Sequence, residues 1–136
     1  MDNPRPVTGF TLMEMVIAIA IIAVLSLVAI PSYLNYMQQG RRADAISSLL
    51  QLQLLQAEWH LNHGEYGSLA QLGWKPGEGN SLDGDYTITL TDQNAESYQA
   101  IAKPIKNQLG DTCGVFAVNQ VSTVYSGYAG PHCWGR

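Results

Sequence analysis

Residues 13–30 are almost entirely Met, Val, Ile, Ala and Leu, interrupted only by Glu14 and Ser26, and residues 15–40 contain no Asp, Glu, Lys or Arg. Roughly 20 apolar residues in helical form cross a bilayer core, so this pattern predicts a helix long enough to span one. A helical period resumes past Pro31 and runs to about Asn62, with Ile46, Leu49, Leu50, Leu54, Ala57 and Leu61 as a broad apolar face. On that reading Asp44 and Glu58 take solvated positions, Trp59 is a core or interface anchor, and Gly40 is a soft point between the halves. Asn62-His63-Gly64 closes the helix, because Asn and Gly accept the left-handed conformation that ends one.

The period then changes from helical to alternating. After a turn-rich passage at residues 75–84, residues 85–91 read Asp-Tyr-Thr-Ile-Thr-Leu-Thr and predict a strand, and residues 97–103 predict a second. Asp92, Gln93 and Asn94 supply the turn between them. A third strand at residues 114–119 and a weaker fourth near residues 121–125 complete a meander. Four antiparallel strands laid on one amphipathic helix bury a single face, which makes the chain α+β. At 136 residues it holds one such domain plus the apolar segment.

Charge removes several function classes. The net charge is -4, and residues 41–136 carry six Lys or Arg against nine Asp or Glu, which disfavours a broad phosphate-binding surface. Lys103 and Lys106, flanking Pro104, form a local basic cluster, with Tyr125, Tyr128 and Trp134 as stacking surfaces; a solvated loop is the ordinary reading and DNA capture the alternative. His60 and His63 follow Glu58 in an order that lacks the His-Glu-x-x-His arrangement, so no metal site is expected. Cys113 and Cys133 fit one bridge in an oxidising compartment better than a metal cage, two free buried thiols being the alternative. His132 beside Cys133 becomes a ligand only if that bridge is absent. No Gly-rich phosphate loop, nucleophile elbow or paired catalytic carboxylates occur, so neither an enzyme nor a cofactor is expected.

Glu14 is the anomaly of the apolar run. A carboxylate placed centrally in a membrane segment costs about 2.5 to 3.5 kcal/mol on insertion scales. No Lys or Arg lies within helical reach, so a counter-ion must come from elsewhere, and the α-amino group of a neighbouring copy would supply a compact cation. The other reading puts Glu14 near enough to the membrane edge to need none. The order of segments is also wrong for a secretory signal, in which a small-residue cleavage site follows a short apolar run, so the apolar segment is retained.

Gly9-Phe10-Thr11-Leu12-Met13-Glu14, followed by the long apolar run and Pro31, resembles the class III signal of type IV pilins and the related type II secretion pseudopilins. The resemblance implies a pilin fold, with a long N-terminal helix packed on a four-stranded antiparallel sheet and a carboxy-terminal loop closed by Cys113 and Cys133. It further implies cleavage after Gly9 by a prepilin peptidase, N-methylation of Phe10, and assembly roles for Glu14 and Pro31. The physics agrees: glycine leaves the scissile bond unhindered, and proline removes a helical hydrogen bond where the helix could bend or melt. The leader departs from the usual basic pattern, offering Arg5 against Asp2. Orientation therefore rests on the cysteines and the resemblance, not on Arg41 and Arg42 beyond the run.

The implied organisation is a leader at residues 1–9, a transmembrane and fibre-core helix at 10–38, and a periplasmic head at 39–136. The segment at residues 62–73, with Tyr66, Leu69 and Leu72, resembles the connecting loop of PilE-type pilins, and Pro131-His132-Cys133-Trp134 resembles the Cys-Trp ending of PilE-type minor pilins. The implied function is a structural subunit, minor rather than major, of a type IV pilus serving twitching motility, adhesion or DNA uptake. Its partners would be other pilins, the peptidase and an inner-membrane assembly platform. The chain would sit single-pass in the inner membrane before assembly and in the extracellular pilus afterwards. A type II secretion pseudopilin and a DNA- or ligand-binding pilin are the alternatives.

Overall fold

The computed structural model describes residues 9–74 and 80–135. Residues 1–8 of the expected leader, and residues 75–79 of the turn-rich passage, lie outside the described residues. The chain divides into two compact units, Met1–Tyr36 and Met37–Arg136. A single long helix, α1 (Leu12–His63), contributes to both, with Pro31 and Gly40 inside it. Gly40 therefore marks no break in the helical assignment.

In the first unit α1 is apolar on all sides and unburied. A helix with no polar face is stable in lipid or against other apolar helices, since water would hydrate its whole circumference. Ser26 and Ser32 do not break this pattern: their hydroxyls donate to the carbonyls of Ile22 (2.8 Å) and Val28 (3.0 Å), one turn back.

The second unit lays its part of α1 together with a three-stranded antiparallel sheet, β1 (Tyr86–Thr91), β2 (Gln99–Pro104) and β3 (Phe116–Asn119), in the order β1-β2-β3. The register sets Ile88 opposite Ala102 and Ala102 opposite Phe116, so alternate residues of all three strands face one side. There Tyr86, Ile88, Ala100, Ala102, Phe116 and Val118 form one core with Ala45, Leu49 and Leu52 of α1. Phe116 stands at the centre, edge-on to Tyr86 (5.8 Å between ring centres) and to Trp134 (5.3 Å). Helix α1 ends at Gly64, whose φ of +74° and N–H to the His60 carbonyl (2.8 Å) turn the chain away. Tyr66, Leu69 and Leu72 of the connecting loop then pack on the core, partly buried.

Two expectations are corrected. Among the described residues the sheet has three strands, not four. The Asn119 side-chain oxygen accepts from the N–H groups of Val121 (2.9 Å) and Ser122 (2.8 Å), which curls the chain into a tight turn. The returning segment then pairs with β3 at a single bridge, Val118 with Thr123. The buried stripe of α1 is also rotated from the expected face: Asp44, Ala45, Ser48, Leu49, Leu52 and Gln56 are buried, whereas Leu50, Leu54, Ala57 and Leu61 are exposed. Polar residues occupy half of that stripe because each finds a specific partner, described next.

Candidate functional site

The amino-terminal end begins in the open. Gly9 and Phe10 are both exposed, and among the described residues none shields the bond between them: a Cβ on Gly9 would meet no atom within 4 Å. At the start of α1, Glu14 Oε2 accepts from both the N–H and the hydroxyl of Thr11, each at 2.8 Å, while Thr11 Oγ1 accepts from the Glu14 N–H at 3.2 Å. This is a reciprocal capping box, in which Thr11 and the Glu three residues on satisfy donors that a helix start leaves orphaned. The Thr-x-x-Glu spacing that makes it is legible in the sequence. Among the described residues the ion pairs are Arg41–Asp85 and Arg42–Asp111, so Glu14 has no cationic partner within them.

In the second unit, buried polar groups of α1 tie the loops to the helix. Asp44, expected in solvent, is buried: its carboxylate accepts from the Ser81 and Ser48 hydroxyls and from the N–H groups of Asp83 (2.9 Å) and Asp85 (3.2 Å). The two hydroxyls in turn accept from the N–H of Tyr86 (2.9 Å) and of Leu82 (2.9 Å), so one side chain organises the approach to β1. Gln56 makes a reciprocal pair with the Gly67 peptide (2.7 and 2.9 Å). Gly67 must be small there, because a Cβ would lie 3.0 Å from the Trp59 ring.

Arg42 grips Asp111 with two parallel bonds (2.8 and 2.5 Å), and Gln108 bridges Asp111, the Tyr86 hydroxyl (3.1 Å) and the Gln38 carbonyl (3.0 Å). Hydrogen bonding to Asp111 holds the Arg42 guanidinium protonated above its ordinary range. Burial pushes the Tyr86 and Tyr98 phenols up to about 12.

Of the expected basic cluster, Lys103 is exposed on β2 and Lys106 is exposed beyond it, its ammonium donating to the Gly84 carbonyl at 3.1 Å, while Pro104 between them is buried. Trp134 packs on Phe116 and donates from Nε1 to the Ala129 carbonyl, and Thr123 donates to the Tyr125 hydroxyl, both at 3.2 Å. His60 and His63 stack on different rings, Tyr66 and Trp59, rather than facing one another. Cys113 and Cys133 form a disulfide with 5.8 Å between Cα atoms, which closes the carboxy-terminal loop. His132 Nε2 lies 3.2 Å from Cys133 Sγ, but both sulfurs are consumed by the bridge and cannot ligate a metal alongside it.

Comparison with known proteins completes the picture. A family profile described as type IV minor pilin ComP, DNA uptake sequence receptor, matches residues 31–117, and the prokaryotic N-terminal methylation motif matches residues 5–30. The type IV major pilin protein PilA of Myxococcus xanthus is 33% identical over 104 residues, covering 76% of this chain and 46% of that protein. The type IV major fimbrial protein FimA of Dichelobacter nodosus is 35% identical over 92 residues, 68% of this chain and 57% of that protein. A fimbrial protein of Neisseria meningitidis serogroup A is 40% identical over 60 residues, 44% of this chain and 35% of that protein. The matched part of the chain thus spans between 35% and 57% of the length of these relatives. Among solved structures, a type IV pilin from Shewanella oneidensis superposes with a TM-score of 0.49 at 19% identity, over 68% of this chain and 96% of that one. With one profile reaching across the helix and sheet of the head and the other across the apolar run and the residues just before it, the chain belongs to the type IV pilin family.

Proposed function

We propose that the chain is a minor subunit of a type IV pilus, processed after Gly9 by a prepilin peptidase, methylated on Phe10, and built into a fibre by packing its apolar helix against those of other pilins. The observation that carries this reading is the unburied first part of α1, apolar on every side, which follows the exposed Gly9 and Phe10 and is matched by the methylation motif. Before assembly the helix sits single-pass in the inner membrane with the head, residues 39–136, in the periplasm; an inner-membrane platform then extracts it, and the head is displayed outside the cell. Cleavage creates an ammonium at Phe10. In the free subunit the Glu14 carboxylate caps its own helix, and in the fibre it meets the ammonium of a neighbour. Pro31 denies the Leu27 carbonyl its usual donor, so bending or local melting there lets the helix adapt from bilayer to fibre.

The test is incorporation of tagged full-length variants into sheared surface fibres. Glu14→Ala is expected to be cleaved and retained in the membrane, yet to enter fibres about tenfold less well, equivalent to ~1.4 kcal/mol of lost pairing. Thr11→Ala, which breaks the capping box and keeps the carboxylate, is expected to enter normally. Equal incorporation of Glu14→Ala and the parent, or an equal defect in Thr11→Ala, would overturn the pairing between subunits.

The description of the matching family as a DNA uptake sequence receptor favours a second role, DNA capture by the displayed head. Among the described residues of the head, Lys103 and Lys106 are the exposed cations from which such binding would be built, because Arg41 and Arg42 are engaged in ion pairs within it. Retention of duplex DNA by the full chain, weakened by salt and by Lys103→Ala, supports this role. Retention that is unchanged by either sinks it.

A further inference from the structure

The carboxy-terminal bridge has an asymmetric environment. Cys133 sits in a short 3-10 turn, Pro131–Trp134, beside the exposed His132, whereas Cys113 has no such neighbour in sequence. The ligand atoms of Cys113, His132 and Cys133 lie within 4.8 Å of one another, and His132 Nε2 is 3.2 Å from Cys133 Sγ. A disulfide sulfur carries no hydrogen, so in the bridged chain a hydrogen bond there needs the imidazole nitrogen as donor; in the reduced chain the thiol is the donor and Nε2, with the ring hydrogen on Nδ1, is the acceptor. The ring lies over Gly130, where an added Cβ would stand 3.3 Å from its Cε1 and Nδ1 atoms. A groove of about 300 Å³ opens on the Cys133 side, lined by Gln39, Arg42, Ile46, His132, Cys133 and Trp134. Cys113 does not line it.

We propose that Cys133 is the reactive sulfur of this bridge, with His132 as its base and the groove as the path by which an external disulfide, such as that of a dithiol oxidant, reaches it. In the reduced chain the Cys133 thiol proton passes to His132 Nε2. The thiolate then attacks one sulfur of the external disulfide. A mixed disulfide forms on Cys133 and the external S–S bond breaks, its electron pair leaving on the other external sulfur as a thiolate. The Cys113 thiol then gives its proton to solvent and its thiolate attacks Cys133 Sγ, closing the internal bridge and expelling the second external thiolate; the two external thiolates take up the proton held by His132 and one from solvent. The external reagent is thus reduced by two electrons and the pilin oxidised by two. The reverse sequence makes Cys133 the point where a reducing thiol enters. Arg42 on α1 also lines the groove, its guanidinium engaged by Asp111, and His132 is the side chain in direct contact with Cys133 Sγ, which is what distinguishes the two cysteines.

The test uses the full-length chain in detergent, reduced and then exposed to oxidised glutathione, with alkylation at intervals and peptide mapping. The first adduct is expected on Cys133, and His132→Gln is expected to slow its formation about tenfold near pH 7, the scale on which losing a proton-accepting neighbour acts on a thiol. Competitive labelling of the reduced chain with a limiting alkylating reagent needs no substitution. Cys133 is expected to react faster than Cys113 below pH 8, and raising the pH is expected to remove the difference. A first adduct on Cys113, or equal labelling of the two cysteines across the pH range, would overturn the assignment. So would a His132→Gln rate matching the parent.

Discussion

Replacing Asp44 with Ala removes one carboxylate and strands four donors: the hydroxyls of Ser48 and Ser81 and the N–H groups of Asp83 and Asp85. Asp83 is exposed and Asp85 half-buried, so water can reach their N–H groups; Ser48 and Ser81 are buried and cannot be rescued that way. Two stranded buried donors at about 1 to 2 kcal/mol each predict a loss of about 2 to 4 kcal/mol. For a head of this size that lowers Tm by about 10 to 25 °C. Asp44→Asn keeps one acceptor oxygen but turns an NH2 group toward the remaining donors, so it recovers at most half of the loss. The assay is thermal and urea unfolding of the full chain in detergent. It is followed through Trp74, which is buried in the core and donates from Nε1 to the Asn80 carbonyl next to the affected loop. An Asp44→Ala chain within about 0.5 kcal/mol of the parent, the range of an ordinary surface substitution, refutes the claim that this side chain organises the approach to β1.

Three further outcomes follow from the same geometry. Gly67→Ala forces a methyl against the Trp59 ring and is expected to destabilise the head by about 1 to 3 kcal/mol, with a shifted tryptophan emission. Replacing both cysteines by Ser opens a loop with a sequence separation of 20 and is expected to lower unfolding stability by about 3 kcal/mol, read from urea midpoints under non-reducing conditions. Burial raises the Tyr86 and Tyr98 phenols to about 12, so between their ordinary value near 10 and 12 the native chain binds more protons than the unfolded one. Stability is therefore present below about pH 10 and declines from there to about pH 12, and Tyr98→Phe is expected to flatten that decline in urea midpoints.

The parts of this molecule that were legible in the sequence are those set by composition over a long window. The apolar run could be read because every side of the helix is hydrophobic, and no knowledge of a partner surface is required. Strands β1 and β2 could be read because Tyr86, Ile88, Ala100 and Ala102 alternate with exposed or half-buried positions. The buried stripe of α1 could not. Asp44, Ser48 and Gln56 look solvated until loops some 11 to 41 residues away supply their partners, while Leu50, Leu54 and Leu61 look buried until the sheet covers the adjacent stripe instead. The fourth strand failed for a local reason, the Asn119 side chain capturing two backbone donors at the point where pairing would have continued. At the amino terminus Glu14 takes Thr11, three residues before it, as its partner within the chain, a pairing written in the Thr-x-x-Glu spacing.

Processing and fibre entry together form the centre of this account, and intact-mass analysis of pilin recovered from sheared surface fibres tests both at once. The predicted species lacks residues 1–9 and begins at a Phe10 carrying one added methyl group. A full-length species still bearing Met1, found in the membrane fraction and absent from fibres, would contradict it.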